Sequence, residues 1–320
     1  MGAGVLFALA AGLMWGLVFV APLLLPDYPA ALLSFGRYLA FGLIALPLAW
    51  LDRARLATLR RADWVEAAKL AVIGNLVYYL LLASAIQRAG APLPTMVIGT
   101  LPVVIAISSN LRDHQRDGRL PWRRLLPSLV LIGAGIALVN RVEIARLHAG
   151  TQAELMRYAS GAVLAVGAVV CWTWYPLRNA DWLRAHADRA PSTWATAQGI
   201  ATLPLALLGF LGWWAWSAVS GSAFAMPFGP RPVSFIALMF TLGLLASWLG
   251  TLCWNEASQR LPTTLVGQLI VFETLSALAY AFVLRGSLPA FATLAGIALL
   301  VAGVLWALRV RPEPALAHGA

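Results

Sequence analysis

The chain has 320 residues, 61% of them hydrophobic and 11% charged, with a formal net charge of +10. So little polar surface cannot cover so much apolar surface in water, where roughly a quarter of residues are charged, and this excludes a water-soluble globular protein. The arginines lie between long apolar runs rather than in a patch of their own, which argues against a nucleic-acid reader and for orientation in a bilayer.

The runs are about twenty residues long, enough to cross a hydrocarbon layer of ~30 Å, and they lack the in–out alternation of barrel strands. The fold class is therefore all-α integral membrane, with ten transmembrane helices. Spans are predicted at 3–25, 32–51, 68–87, 92–111, 124–140, 158–177, 193–217, 233–255, 263–284 and 289–308. The first run has no basic leader and is long enough to span, so it is read as a helix that stays rather than as a cleaved signal. Pro22, Pro26 and Pro29 surround its exit. DRARLATLRRADW (52–64) and RDHQRDGRLPWRR (112–124) are basic loops after the second and fourth spans. Lys and Arg in the loops on this side outnumber those on the other by more than two to one, which places both termini in the cytoplasm and requires an even number of spans. Cys171 and Cys253 fall inside spans and suggest neither a disulfide nor a metal site.

Two halves of the chain match. GVLFALAAGLMW (4–15) aligns with GAVLAVGAVVCW (161–172), AIQR (85–88) with ASQR (257–260), and GIAL (135–138) with GVLW (303–306). The matches fall in the same order and at the same rank within each half. The predicted units are a first five-helix repeat over 1–151, a second over 152–310, and a cytoplasmic tail over 311–320. Five is odd, so the second repeat enters the bilayer upside down. An inverted repeat places a central cavity between the halves near mid-membrane and permits alternating access.

Several segments resemble a known family. LMWGLVFVAP (13–22), FGRYLAFGL (35–43), GNLVYYLLLASA (74–85), TLPVVIAI (100–107), GAVVCWTWYPLR (167–178), GLLASWLGTLCWNEASQRLP (243–262) and VFET (271–274) are similar, in order, to spans of EamA-type proteins of the drug/metabolite transporter superfamily. The bacterial amino-acid exporter branch is nearest in overall character. The pattern departs from the family at SNLRDH (109–114), which lacks a span-four glutamate, and at Thr274, where proline commonly follows the glutamate. The resemblance implies a multi-pass protein of a bacterial-type inner membrane that exports amino acids.

Glu273 is the foremost candidate residue. On a helix, Glu273, Ser276, Ala277 and Tyr280 share one narrow polar face, opposite a face that includes Leu269, Phe272, Leu275 and Leu278. A carboxylate facing lipid costs several kcal/mol, so Glu273 is expected to face the bundle interior, either as a substrate-amine or proton-coupling site or as a structural group bonded to a neighbouring helix. Arg37 is the other intramembrane charge; it either snorkels to the outer interface, meets a substrate carboxylate or pairs with Glu273. Ser247, Thr251, Asn255 and Ser258 form a polar stripe that either lines a path or joins helices. Glu256 pairs with Arg260 or is solvated.

Trp15, Trp172, Trp248 and Trp254 lie within spans and are suited either to wall a cavity or to pack in the core beside Gly12 and Gly16. Asn75 and Tyr79 are four apart and share a face, next to Tyr78. Thr95, Gly99, Pro102, Ala106 and Ser109 make a small-residue stripe in which Pro102 allows a kink or gate. Gln198 and Gln268 are read as helix contacts. Trp50, Trp64, Trp122, Trp213, Trp214 and Trp216 suit the membrane interface.

The function read from these features is a secondary transporter that needs no cofactor beyond a possible coupled proton. There is no phosphate-cradling glycine loop for ATP. The expected partners are a small-molecule solute and the lipid bilayer, with no nucleic acid; a monomer fits and the oligomeric state is left open. A membrane scaffold or receptor, or a carrier of drug-like or nucleoside-like solutes, is the alternative. An enzyme is disfavoured, because His114, His148, His186 and His318 lie in loops or tail with no partner spacing.

Overall fold

The structure, a computed structural model, describes residues 2–112, 121–147, 151–261, 266–267, 269–286 and 290–310. The loop over 113–120, His114, His148, His318, Gln268 and the tail 311–320 lie outside the described residues, as do the side chains of Ala106 and Ser109. Every regular element among the described residues is helical. Besides a single turn at Arg53–Leu56, we number the longer ones α1 (Gly2–Leu24), α2 (Ala30–Leu51), α3 (Arg61–Ala89), α4 (Pro92–Ile98), α5 (Leu101–Arg112), α6 (Trp122–Leu147), α7 (Gln152–Ala185), α8 (Pro191–Val219), α9 (Pro232–Arg260), α10 (Val271–Arg285) and α11 (Phe291–Arg309). Six of them, α1, α2, α3, α7, α8 and α9, are long and apolar enough to cross a membrane.

Local chemistry sets the ends. Proline occupies the first turn of α4, α8 and α9, where its missing N–H is not needed. Thr151 and Glu154 form a reciprocal capping box at the start of α7. Gly90 and Gly286 end α3 and α10 at φ 75° and 58°, where a side chain would be strained.

Four interruptions depart from the regular helices that periodicity predicts. The expected span over 92–111 is broken at Gly99 and Thr100, because Pro102 has no N–H to return to the preceding turn; the Thr100 hydroxyl instead donates to the Val97 carbonyl at 2.7 Å. Among the described residues the expected span over 263–284 is helical at 266–267 and 269, turns at Ile270 and runs on as α10 from Val271, with Glu273 in the first turn of α10. Residues 71–77 of α3 and 242–249 of α9 are π-helical. A π turn shifts the register and frees carbonyls. Both segments give one to α2: Ser34 donates to Leu76 O at 3.0 Å, and Arg37 Nη2 to Ala246 O at 3.2 Å.

Packing follows a pattern that swaps between halves. Helix α1 packs on α9 and α10, while α7 packs on α3 and α4; α2 packs on α8, and α6 on α11. Gly12 and Gly16 bring α1 against α10. A β-carbon at Gly12 would lie 3.0 Å from the Glu273 backbone nitrogen, and one at Gly16 would lie 2.6 Å from the Ser276 β-carbon. The core is continuous through Trp15, Tyr38, Tyr78, Tyr79, Trp172, Tyr175 and Trp254. Exposed apolar side chains such as Leu6, Val163, Leu208 and Val233 cover the outside, as expected where lipid is the solvent.

Candidate functional site

Glu273 is buried, 1% exposed, at the meeting of α1, α3, α7 and α10. Tyr78 Oη lies 3.5 Å from its Oε1, and Oε2 has no hydrogen-bond partner. The Trp172 indole neighbours the same carboxyl, yet its N–H makes no hydrogen bond of ordinary geometry. The first turn of α10 carries the positive end of the helix dipole, which favours an anion there.

Aromatic rings surround the carboxyl. Trp172 stacks on Tyr78 at 4.6 Å and on Tyr175 at 4.9 Å, and Trp15 meets Trp172 edge-on at 4.9 Å and Trp254 at 5.0 Å. These separations are the preferred ones for aromatic pairs. The rings of Trp15, Tyr78, Trp172 and Trp254 pack together where the two halves meet, the place where the central cavity is expected. A hollow of about 10 Å³, room for roughly one water, lies beyond Trp254 toward Pro176 and Ser258.

Arg37 does not snorkel. It is 4% exposed, and its Nε donates to Ser247 Oγ at 3.0 Å. Its guanidinium also lies over the rings of Tyr38 at 4.7 Å and Tyr79 at 4.6 Å, so π faces replace water around the buried cation. Nor does it pair with Glu273: no ion pair joins them, and Arg37 Nη1 is unpartnered. Tyr38 and Tyr78 lie within the electrostatic reach of both charges.

The remaining predicted residues scatter. Asn75 and Tyr79 do not pair, because the π turn ending at Val77 rotates them apart; Asn75 reaches Thr202 on α8 at 3.3 Å, and Tyr79 donates to Val18 O on α1 at 3.1 Å. Trp248 donates to Thr196 at 3.2 Å, half-buried and away from the carboxyl. Thr251 sits beside Tyr175. Tyr280 ties α10 to α1 by donating to Leu13 O at 3.1 Å. Pro102 is buried one residue into α5. Glu256 pairs with Arg260.

Asn255 belongs to a different network that sequence reasoning missed. Asn179 on α7 donates to Asn255 Oδ1 at 2.9 Å and accepts from Trp194 at 2.8 Å and from Gln198 at 3.1 Å. Tyr175 donates to Gln198 at 2.8 Å, which makes Gln198 a helix contact as read from sequence. Asn179→Leu orphans these buried partners and is expected to lower stability by about 3 kcal/mol. Thermal unfolding of the purified protein checks this; an unchanged midpoint removes the network from the fold's support.

The ends of the bundle are shut by polar ties. At the arginine-rich end Arg178 holds Glu66 at 2.5 and 3.2 Å, and Trp182 donates to Asp63 at 2.9 Å while stacking on Trp194 and His186. Arg112–Asp181, Thr193–Asp52 and Arg189–Thr58 add to them. At the other end Tyr28 donates to Phe228 O, Gln87 to Tyr28 O, and Arg231 pairs with Asp27. Asp63 and Glu66 left a faint trace in the sequence, as acids in a basic loop.

The model of the EamA-like transporter family matches residues 2–141. The chain is 56% identical over 313 residues to the inner membrane protein YtfF of Escherichia coli (strain K12), covering 98% of this chain and 97% of that one. A solved crystal structure superposes with a TM-score of 0.66 over 95% of this chain and 96% of its own, at 19% identity, which bears on the fold alone.

Proposed function

The chain belongs to the EamA-like transporter family and is a membrane transporter, and on that premise we propose that it exports small metabolites, amino acids including aromatic ones first among them, by alternating access between two inverted five-helix repeats. The repeats are 1–151 and 152–310, with both termini in the cytoplasm of a bacterial-type inner membrane.

The observation that carries the reading is the pair of buried, incompletely partnered charges, Glu273 and Arg37, held apart in one aromatic interior. A carboxylate suits a substrate amine or a proton, and a guanidinium suits a substrate carboxylate, so together they suit a zwitterion. The surrounding indoles and phenols suit an aromatic side chain.

The inverted repeat draws support from correspondences between the halves. Both π segments lie at equivalent places, 71–77 and 242–249. Asn75 bonds α3 to α8, and Ser247 at the matching place bonds α9 to α2. The break at Gly99 matches the start of α10 after Ile270. Trp15 and Trp172, aligned in sequence, touch across the centre. Interrupted helices facing the middle of a bundle are what inverted-repeat carriers use at their solute sites. With polar ties at both ends, the conformation is read as closed toward both sides. Opening toward the cytoplasm would release Arg178 from Glu66 and Trp182 from Asp63.

Efflux of labelled amino acids from proteoliposomes carrying the full chain tests this. Flux above protein-free vesicles for aromatic amino acids supports it. Flux of nucleoside-like solutes alone moves the substrate class, and background flux for a broad panel favours a scaffold or receptor. Trp172→Phe and Trp15→Phe are expected to weaken the preference for aromatic over aliphatic substrates by about fivefold, the equivalent of about 1 kcal/mol of ring contact. Unchanged selectivity in both would make these rings core alone.

A further inference from the structure

At the end opposite the arginine-rich loops, α2, α3, α7 and α8 leave a hollow of about 760 Å³ between them, a size that suits a small ligand. Its wall includes Ser84, Gln87 and Arg88 of α3, Arg157 and Ser160 of α7, and Trp213 of α8. Reciprocal ties place the two arginines. Arg88 Nη1 donates to Ser160 Oγ at 3.0 Å, and Arg157 Nη2 donates to the Gln87 carbonyl at 2.8 Å. Ser160 gives its own proton to the Arg157 carbonyl at 2.7 Å, which leaves its lone pairs to receive Arg88. Each guanidinium carries five N–H groups and spends one on these ties. Asp27 is engaged elsewhere, by Arg231, and so is Glu154, one turn before Arg157, which accepts from the Thr151 N–H at 2.8 Å. Among the described residues neither Arg88 nor Arg157 forms an ion pair. The hollow adjoins the polar closure of this end, because the Gln87 side chain donates to Tyr28 O at 2.6 Å.

We propose that this hollow is a second solute site, in which Arg88 and Arg157 receive the carboxylate of an amino acid. A carboxylate takes paired N–H groups from a guanidinium, and such charge-assisted bonds are stronger than those to a hydroxyl or a backbone carbonyl. Gln87 donates through Nε2, which leaves Oε1 to accept from an α-amino group, and the Ser84 hydroxyl lines the same wall. The half-buried Trp213 ring suits an aromatic side chain. A phospholipid phosphate shares the negative charge, but a wall of Ser84, Gln87 and Ser160 is no bed for acyl chains. The assignment rests on the reading of the chain as an amino-acid carrier. For an exporter this is where the solute pauses on leaving, and the bond from Gln87 to Tyr28 sets it beside the contact that must open.

The test uses the full chain in phosphatidylcholine nanodiscs, which leave both faces open. Cys171→Ala and Cys253→Ala remove the native thiols, and Met156→Cys, at a position that lines the hollow and is 63% exposed, reports through its rate of labelling by a maleimide. Phenylacetate, a carboxylate with no amine, and phenylalanine are expected to slow labelling saturably. Phenethylamine, with the ring and no carboxylate, is expected to leave the rate unchanged. Arg88→Gln/Arg157→Gln should raise the concentration needed for protection about tenfold. Arg53→Gln/Arg55→Gln, which loses the same charge at the opposite end, should need the concentration that the unchanged arginines need. No protection by either carboxylate, equal protection by phenethylamine, or full protection in the Arg88/Arg157 variant would overturn the site. Equal loss in both double variants would assign the effect to overall charge and overturn it as well. Labelling slowed by phosphatidylglycerol in the nanodisc, but by no soluble carboxylate, would give the hollow to a lipid and overturn the solute. Protection requires no transport, so an absence of amino-acid flux in proteoliposomes would sink the export reading and leave the carboxylate site standing.

Discussion

Glu273→Gln is expected to abolish the response of transport to a proton gradient while leaving the protein folded. The amide keeps the shape of the side chain and can still meet Tyr78, but it cannot gain or lose a proton at physiological pH. Wild-type Glu273 has one carboxyl oxygen with no partner in a site 1% exposed, so a proton or a substrate amine is the natural complement of its charge. A pH step of one unit across the vesicle corresponds to about 1.4 kcal/mol and can sustain about tenfold accumulation of a solute coupled to one proton. The variant should accumulate no more than it does without the step. Labelled-solute accumulation in proteoliposomes with an imposed gradient measures this, with thermal unfolding as the control for folding. A variant that follows the gradient as the wild type does removes Glu273 from coupling, and exchange lost together with coupling would make Glu273 a substrate contact.

Gly16→Leu should be among the most damaging single changes in the chain. The new side chain would start 2.6 Å from the Ser276 β-carbon and 2.9 Å from the Ala277 backbone nitrogen. Backbone cannot rotate aside as a side chain can, so α1 must move off α10, and Trp15 and Glu273 move with them. Overpacking of this kind costs about 3 kcal/mol or more, enough to remove much of a membrane bundle's margin. The expected outcome is loss of monodisperse protein or a clearly lowered unfolding temperature. Gly133→Leu is the matched control, because a β-carbon there meets nothing within 4 Å. If the two variants unfold alike, the close approach of α1 and α10 does not hold the centre together.

Much of the architecture was legible in the chain itself. Apolar runs of bilayer length dictate helices, since a backbone in hydrocarbon must bond to itself. The Gly12–Gly16 spacing announced a close helix contact, and the depth of Glu273 announced an interior face. The site was legible only in part. The π turn in α3 was not, and with it the i,i+4 argument that joined Asn75 to Tyr79 failed. Tyr175 and Asn179 were passed over because nothing local on a long helix says which neighbour each meets.

Composition and periodicity determined by themselves that this chain lives in lipid as helices and that its rare charges turn inward, because the solvation of single residues is a local property. Which helix each inward group meets was decided only in three dimensions. Arg37 finds Ser247 and two tyrosine faces rather than Glu273, and Trp15 finds Trp172 from the other half of the chain. Those partners are set by helix register, interruption and tilt, and each of these depends on contacts between segments more than a hundred residues apart.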